Sequence, residues 1–145
     1  EQRMGTVGLP DGIDADIVDG QLYIQGPTLS TTGWYNTGDL AVQDSAGYYC
    51  ILGRHRDQIN VKGIKLNPLS LEQQLKTAIT QLTDCVIFGN SAVKCLYVGD
   101  VDPNKIRRFL ITLGPQCRPI LVESIDTIPV SPSGKISRTW LNNHY

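Results

Sequence analysis

Hydrophobic and polar positions alternate in short runs over roughly the first fifty residues, and this alternation predicts β-structure. Ala15-Asp-Ile-Val18 and Gln21-Leu-Tyr-Ile-Gln25 flank Asp19-Gly20, the strongest two-residue hairpin signal. A second hairpin is expected between Leu40-Ala-Val42 and Tyr48-Tyr-Cys-Ile-Leu52, through Asp44-Ser-Ala-Gly47. So short a β-segment buries little core by itself, which implies packing on material outside this chain. The aromatic residues Trp34, Tyr35, Tyr48 and Tyr49 are expected to serve that core and hairpin packing.

From Gly53 onward the pattern changes. Ile59-Asn-Val61 and Ile64-Lys-Leu66 form a hairpin candidate around Lys62-Gly63. Asn67 as N-cap and Pro68 at the first helical position then open a helix with an apolar face of Leu71, Leu75, Ala78, Ile79 and Leu82. Strands follow at Cys85-Val-Ile-Phe88 and Lys94-Cys-Leu-Tyr-Val98. Asp102 and Pro103 start a second helix faced by Ile106, Phe109, Leu110 and Leu113, stopped at Gly114-Pro115. A strand over 120–125 and a short helix after Ser137, anchored by Trp140, complete an α+β arrangement with a small mixed sheet and two to three helices.

Composition narrows the function classes. In 145 residues, 41% hydrophobic and 19% charged content is globular, and a formal charge of -1 gives no basic face for nucleic acid or an acidic membrane. No apolar run is long enough for a membrane span, and no charged start with an apolar signal core is present, so a cytoplasmic protein is expected. Cys50, Cys85, Cys95 and Cys117 fall at wide irregular spacing in apolar segments, beside only two histidines. Buried reduced thiols fit that spacing better than a zinc site or a disulfide framework. The start at Glu1 rather than Met suggests a piece of a longer polypeptide.

Three segments carry candidate chemistry. Pro129 and Pro132 stiffen a loop in which Gly134 allows close backbone approach and Lys135 is presented. No G-x-x-x-x-G-K-[ST] run precedes this lysine, which excludes a phosphate-cradling P-loop. Asp39, in Thr37-Gly-Asp-Leu40, offers two acceptor oxygens that match a vicinal diol. Arg54, His55, Arg56 and Asp57 form a charged turn after Gly53. Taken singly, these are also what a turn lysine, a turn aspartate and a surface arginine look like.

In order and together, Trp34-Tyr-Asn-Thr-Gly-Asp-Leu40, Gly53-Arg-His-Arg-Asp-Gln-Ile-Asn-Val-Lys-Gly63 and Pro129-Val-Ser-Pro-Ser-Gly-Lys-Ile-Ser-Arg138 resemble the carboxyl-terminal portion of AMP-forming acyl-adenylating enzymes. That superfamily includes acyl-CoA synthetases, luciferases and peptide-synthetase adenylation domains. The resemblance implies a β-subdomain fragment of a large amino-terminal domain over residues 1–53, a hinge over 54–58 and a carboxyl-terminal lid domain over 59–145. It implies Lys135 as the catalytic cation of adenylation, Asp39 on the nucleotide ribose and Arg54 on the ribose or phosphate of the adenylate. Gly63 would line a pantetheine tunnel. Arg56 would be the hinge residue, where the family usually has Asp or Lys. Asn60 stands where many members have a second lysine, and Glu72 matches a family glutamate read as structural.

The expected partners are a missing amino-terminal domain of the same polypeptide and a carboxylic acid substrate, with ATP, Mg2+ and coenzyme A acting in the full-length enzyme. The thiol of a carrier-protein pantetheine is the alternative to coenzyme A. A non-catalytic module that retains the fold is the reading from a different class, and the joint presence of Asp39, Arg54 and Lys135 argues against it.

Overall fold

The computed structural model describes residues 6–8, 10–90 and 92–145. Residues 1–5, Leu9 and Ser91 lie outside the described residues, and so does that part of the expected 1–53 segment. The chain divides into two compact units, Glu1–Arg56 and Asp57–Tyr145.

The first unit holds an antiparallel sheet of β1 (Thr6–Gly8), β2 (Asp14–Val18), β3 (Gln21–Gln25), β4 (Tyr35–Gln43) and β5 (Tyr49–Arg54). The strands run in the order β1-β5-β4-β3-β2. The Asp19-Gly20 turn sets β2 against β3 with Val18 opposite Gln21, as the hairpin signal requires. Among the described residues, Leu22, Ala41 and Tyr49 form the buried cluster, with Ala15, Ile17, Ile24 and Ile51 packed on it. The Tyr49 hydroxyl donates to the Ala15 carbonyl at 2.7 Å, so a buried phenol keeps its hydrogen bond. Trp34 and Tyr35 depart from the sequence expectation, being 51% and 48% exposed. The small cluster covers few side chains, and these two aromatics at the start of β4 fall outside it. Strand β4 also begins five residues before the expected Leu40, because Tyr35 and Asn36 pair with Ile24 and Tyr23 of β3.

A 3₁₀ turn over His55–Asp57 leads to the second unit. There β6 (Ile59–Val61) and β7 (Ile64–Leu66) form the expected hairpin, and α1 (Pro68–Ala78) follows. The Asn67 side chain accepts from the Ser70 amide at 3.2 Å, satisfying one of the amides that a helix start leaves unpaired. Strand β8 (Leu82–Gly89) pairs antiparallel with β9 (Val93–Gly99), and β10 (Leu121–Ser124) lies parallel to β9. Helix α2 (Pro103–Thr112) is capped by Asp102, and α3 (Arg138–His144) by Ser137.

Both faces of this three-stranded sheet are covered, which explains the unbroken apolar run from Cys85 to Phe88. Cys85 and Ile87 join Leu71, Leu75, Ile79, Ile106 and Leu110 in one core, while Val86 and Phe88 join Leu96, Ile128 and Leu141 in the other. Helix α1 ends at Ala78, which is exposed, and Leu82 belongs to β8 instead of the helix. The helical spacing therefore overruns the helix by one turn. Cys85, Cys95 and Cys117 are buried free thiols, and Cys50 is half-buried.

Candidate functional site

The candidate residues fall into a carboxylate–guanidinium cluster in the first unit and a lysine loop in the second. In the first, Gln21 stands opposite Leu40 and Tyr23 opposite Asn36, so the single residue Leu22 faces the three residues Thr37, Gly38 and Asp39. The motif is thus a bulge in β4, a device that turns side chains out of the regular alternation. It is closed by its own polar groups. The Thr37 hydroxyl donates to the Leu22 carbonyl at 3.0 Å and accepts from the Asp39 amide at 3.1 Å. Asn36 Oδ1 accepts from the Gly38 amide at 2.8 Å, and its Nδ2 donates to the Tyr23 hydroxyl at 3.0 Å.

Across the next strand pair Asp39 faces Arg54 directly. Arg54 Nε lies 2.9 Å from Asp39 Oδ1, and its Nη1 donates to the Thr37 carbonyl at 3.0 Å. The guanidinium thereby holds both the carboxylate and the bulge, while its own side chain stays 52% exposed. Asp39 and Arg54 are brought together as one charged cluster. Its sequence signal was the pair of motifs; the bulge itself required the strand register.

In the second unit, Lys62 and Gly63 form the β6–β7 turn with φ of +51° and +87°, both in the left-handed region. The Gly63 amide donates to Asn60 Oδ1 at 2.8 Å, so Asn60 closes this turn. The turn alone calls for glycine at position 63. Space around it is open, with nothing within 4 Å of the place a Cβ would take.

Lys135 ends a tight loop. The Gly134 amide donates to the Ser131 carbonyl at 2.8 Å, and the Ser131 amide donates to the Lys135 carbonyl at 2.9 Å. Pro132 suits the first inner position of such a turn, and Gly134 takes the left-handed one at φ +75°. The Ser131 hydroxyl adds a bond to the Lys135 carbonyl at 2.8 Å. The loop backbone is therefore held by three bonds, two of them to the lysine carbonyl, while the lysine side chain is exposed.

Three residues beyond Lys135, Arg138 makes contacts that the sequence reading missed. Its Nη2 lies 2.7 and 2.8 Å from the two oxygens of Glu72, its Nε donates to the Ile87 carbonyl at 3.0 Å, and its Nη1 is 3.7 Å from Asp57 Oδ2. Glu72 Oε1 also accepts from the Ile87 amide at 2.7 Å. Burial pushes the Glu72 carboxyl above the usual carboxylate range, and the Arg138 charge and the Ile87 amide pull it back. The available signal was a carboxylate on the apolar stripe of α1, where Glu72, Leu75 and Ile79 share helical spacing.

The buried thiols are poorly placed for chemistry. A hydrogen bond with Cys85 and burial both raise Cys95, and burial raises Cys117, so neither thiol ionises readily. Among the described residues no cluster of three His, Cys, Asp or Glu side chains gathers for a metal. Nor is any described helix long and apolar enough to cross a membrane. Arg56 lies in the 3₁₀ turn, as the last residue of the first unit.

No family model matches the chain. It is 29% identical to a long-chain-fatty-acid–CoA ligase of Escherichia coli O6:H1 over 99% of its own length, which is 32% of that protein. It is 33% identical to an acetyl-coenzyme A synthetase of Emericella nidulans over 75% of its length and 18% of the synthetase. Among solved structures, the ATP-bound MatB of Rhodopseudomonas palustris superposes with a TM-score of 0.82 at 22% identity, covering 97% of this chain and 36% of that one. The chain thus spans a third or less of the length of these curated relatives.

Proposed function

We infer, for a chain that corresponds to the carboxyl-terminal part of an AMP-forming acyl-adenylating ligase, that it supplies such an enzyme with ribose contacts and with the cation of the adenylation step. In that step a carboxylate oxygen of the acid attacks the α-phosphorus of Mg-ATP. The bond to the bridging oxygen breaks, and pyrophosphate leaves. Negative charge grows on the phosphate oxygens, so a cation delivered there stabilises the transition state more than the ground state.

The observation that carries this reading is the Lys135 loop. Its backbone is fixed by two amide bonds and one hydroxyl bond, so the ammonium is offered from a defined place at the end of a flexible stem. Asp39, held by Arg54 through Oδ1, presents Oδ2 as an acceptor for ribose hydroxyls, and the Arg54 charge suits the adenylate phosphate.

In the second step a thiol sulfur attacks the acyl carbonyl, the thioester bond forms, and AMP leaves with the oxygen that joined it to the acyl group. Coenzyme A is the thiol donor in this reading, and the open space at Gly63 suits a narrow pantetheine arm. Arg56 is the pivot that allows Lys135 to leave between the two steps. The amino-terminal domain of the same polypeptide would provide the remaining walls of the site. The test is pyrophosphate release by the full polypeptide across a panel of carboxylic acids, followed by coenzyme A-dependent release of AMP. Release that depends on both ATP and one class of acid is expected; no release with any acid sinks the reading.

A further inference from the structure

We propose that Arg138 is a positioning residue for Lys135, tying the lysine loop to α1, β8 and the first residue of the second unit; this rests on Lys135 acting in adenylation as read above. Strand β8 lies at the edge of its sheet, and Ile87 turns both its amide and its carbonyl toward the Glu72–Arg138 pair. An edge strand normally leaves such groups to water or to a partner chain. Here the carboxylate takes the amide and the guanidinium takes the carbonyl, so the ion pair closes the edge at Ile87. The two charges are also bonded to each other through both Glu72 oxygens.

The anchor is close to the lysine in the chain. Arg138 is the first residue of α3, and three residues of extended chain reach no more than about 11 Å. On the other side of the loop, Ile128 is buried in the second core. The lysine loop is therefore pinned at both roots, with Arg138 as a charged pin. Its Nη1 further reaches Asp57, which follows Arg56 directly. An arginine fits this duty where a lysine does not, because its planar fork meets a carboxylate and a carbonyl at once in fixed directions.

A residue needed only for folding would affect both half-reactions in proportion to the folded protein lost. A positioning residue acts on the step that uses Lys135. The test is Arg138→Lys in the full polypeptide, assayed below its unfolding transition for adenylation, and separately for thioester formation from supplied acyl-adenylate. The kcat of adenylation should fall on the order of 10- to 100-fold, the scale of a misplacement of about 1 Å, with KM for ATP and thioester formation little changed.

Hydrogen exchange of the Ser131 and Gly134 amides gives a second readout that does not depend on the reaction. These should exchange about tenfold faster in Arg138→Lys, while the amides of β9 keep their protection. Unchanged exchange in the loop overturns the proposal. Faster exchange with unchanged adenylation overturns it too, because position then has no consequence. If Lys135→Ala itself leaves adenylation intact, the reading of the reaction fails and the proposal falls with it; the exchange data would then report only a structural tether.

Discussion

Glu72 is the only charged residue buried among the described residues, and its charge is tolerable because Arg138 and the Ile87 amide meet it. Arg138→Ala removes the strongest influence that holds the Glu72 carboxyl down, so its pKa should climb further above the unfolded value. A carboxyl raised by folding stabilises the folded state fully below its unfolded pKa, and this is lost as pH rises through the folded pKa. The variant should therefore lie nearest to wild type at about pH 4.5 and fall furthest behind at pH 8, by about 3 kcal/mol. Urea unfolding of both proteins at the two pH values checks this. A deficit of equal size at both would mean that the loss comes from packing alone. The pair was not legible in the sequence because its members are 66 positions apart, although a carboxylate on an apolar stripe was visible.

Elements whose signals are local were legible in the sequence. Asp19-Gly20, Asn67-Pro68, Asp102-Pro103 and Ser137 each act within a few residues, and each marks a turn or helix start in the structure. Features that depend on a distant strand were not. The bulge at Thr37, Gly38 and Asp39 exists only by reference to Leu22 of β3, and the early start of β4 depends on the same pairing. Helix α1 was overrun because Ile79 and Leu82 continue its spacing, yet Ile79 has already turned extended at φ -123° and ψ 93°.

The Asn67 cap sets the start of α1 and so the direction in which Glu72, in its second turn, meets β8. Asn67→Ala should cost about 1 kcal/mol, the usual scale of a lost N-cap. The check is a lower denaturant midpoint at unchanged slope. A change in slope would instead mean that the native or unfolded ensemble had been altered.

At the scale of the whole molecule, the chain divides between Arg56 and Asp57, and Lys135 and the Asp39–Arg54 cluster belong to different units. The proposed two-step reading requires the backbone to change at Arg56, its proposed pivot. In the full polypeptide, Arg56→Pro fixes φ near -65° and removes an amide donor, so one setting of the pivot is kept and the other is lost. Adenylation is expected to persist while thioester formation fails. Normal rates for both half-reactions would place the pivot elsewhere, with Asp57 the next candidate.

The central claim is that Lys135 acts as a cation in adenylation and is not needed in thioester formation. The most direct measurement is Lys135→Ala in the full polypeptide, with acyl-adenylate formation and thioester formation from supplied acyl-adenylate followed separately. Adenylation should fall on the order of 100-fold or more, the scale of losing one preorganised charge donor, and the thioester step should suffer far less. Equal losses in the two half-reactions, or none in adenylation, would contradict the account.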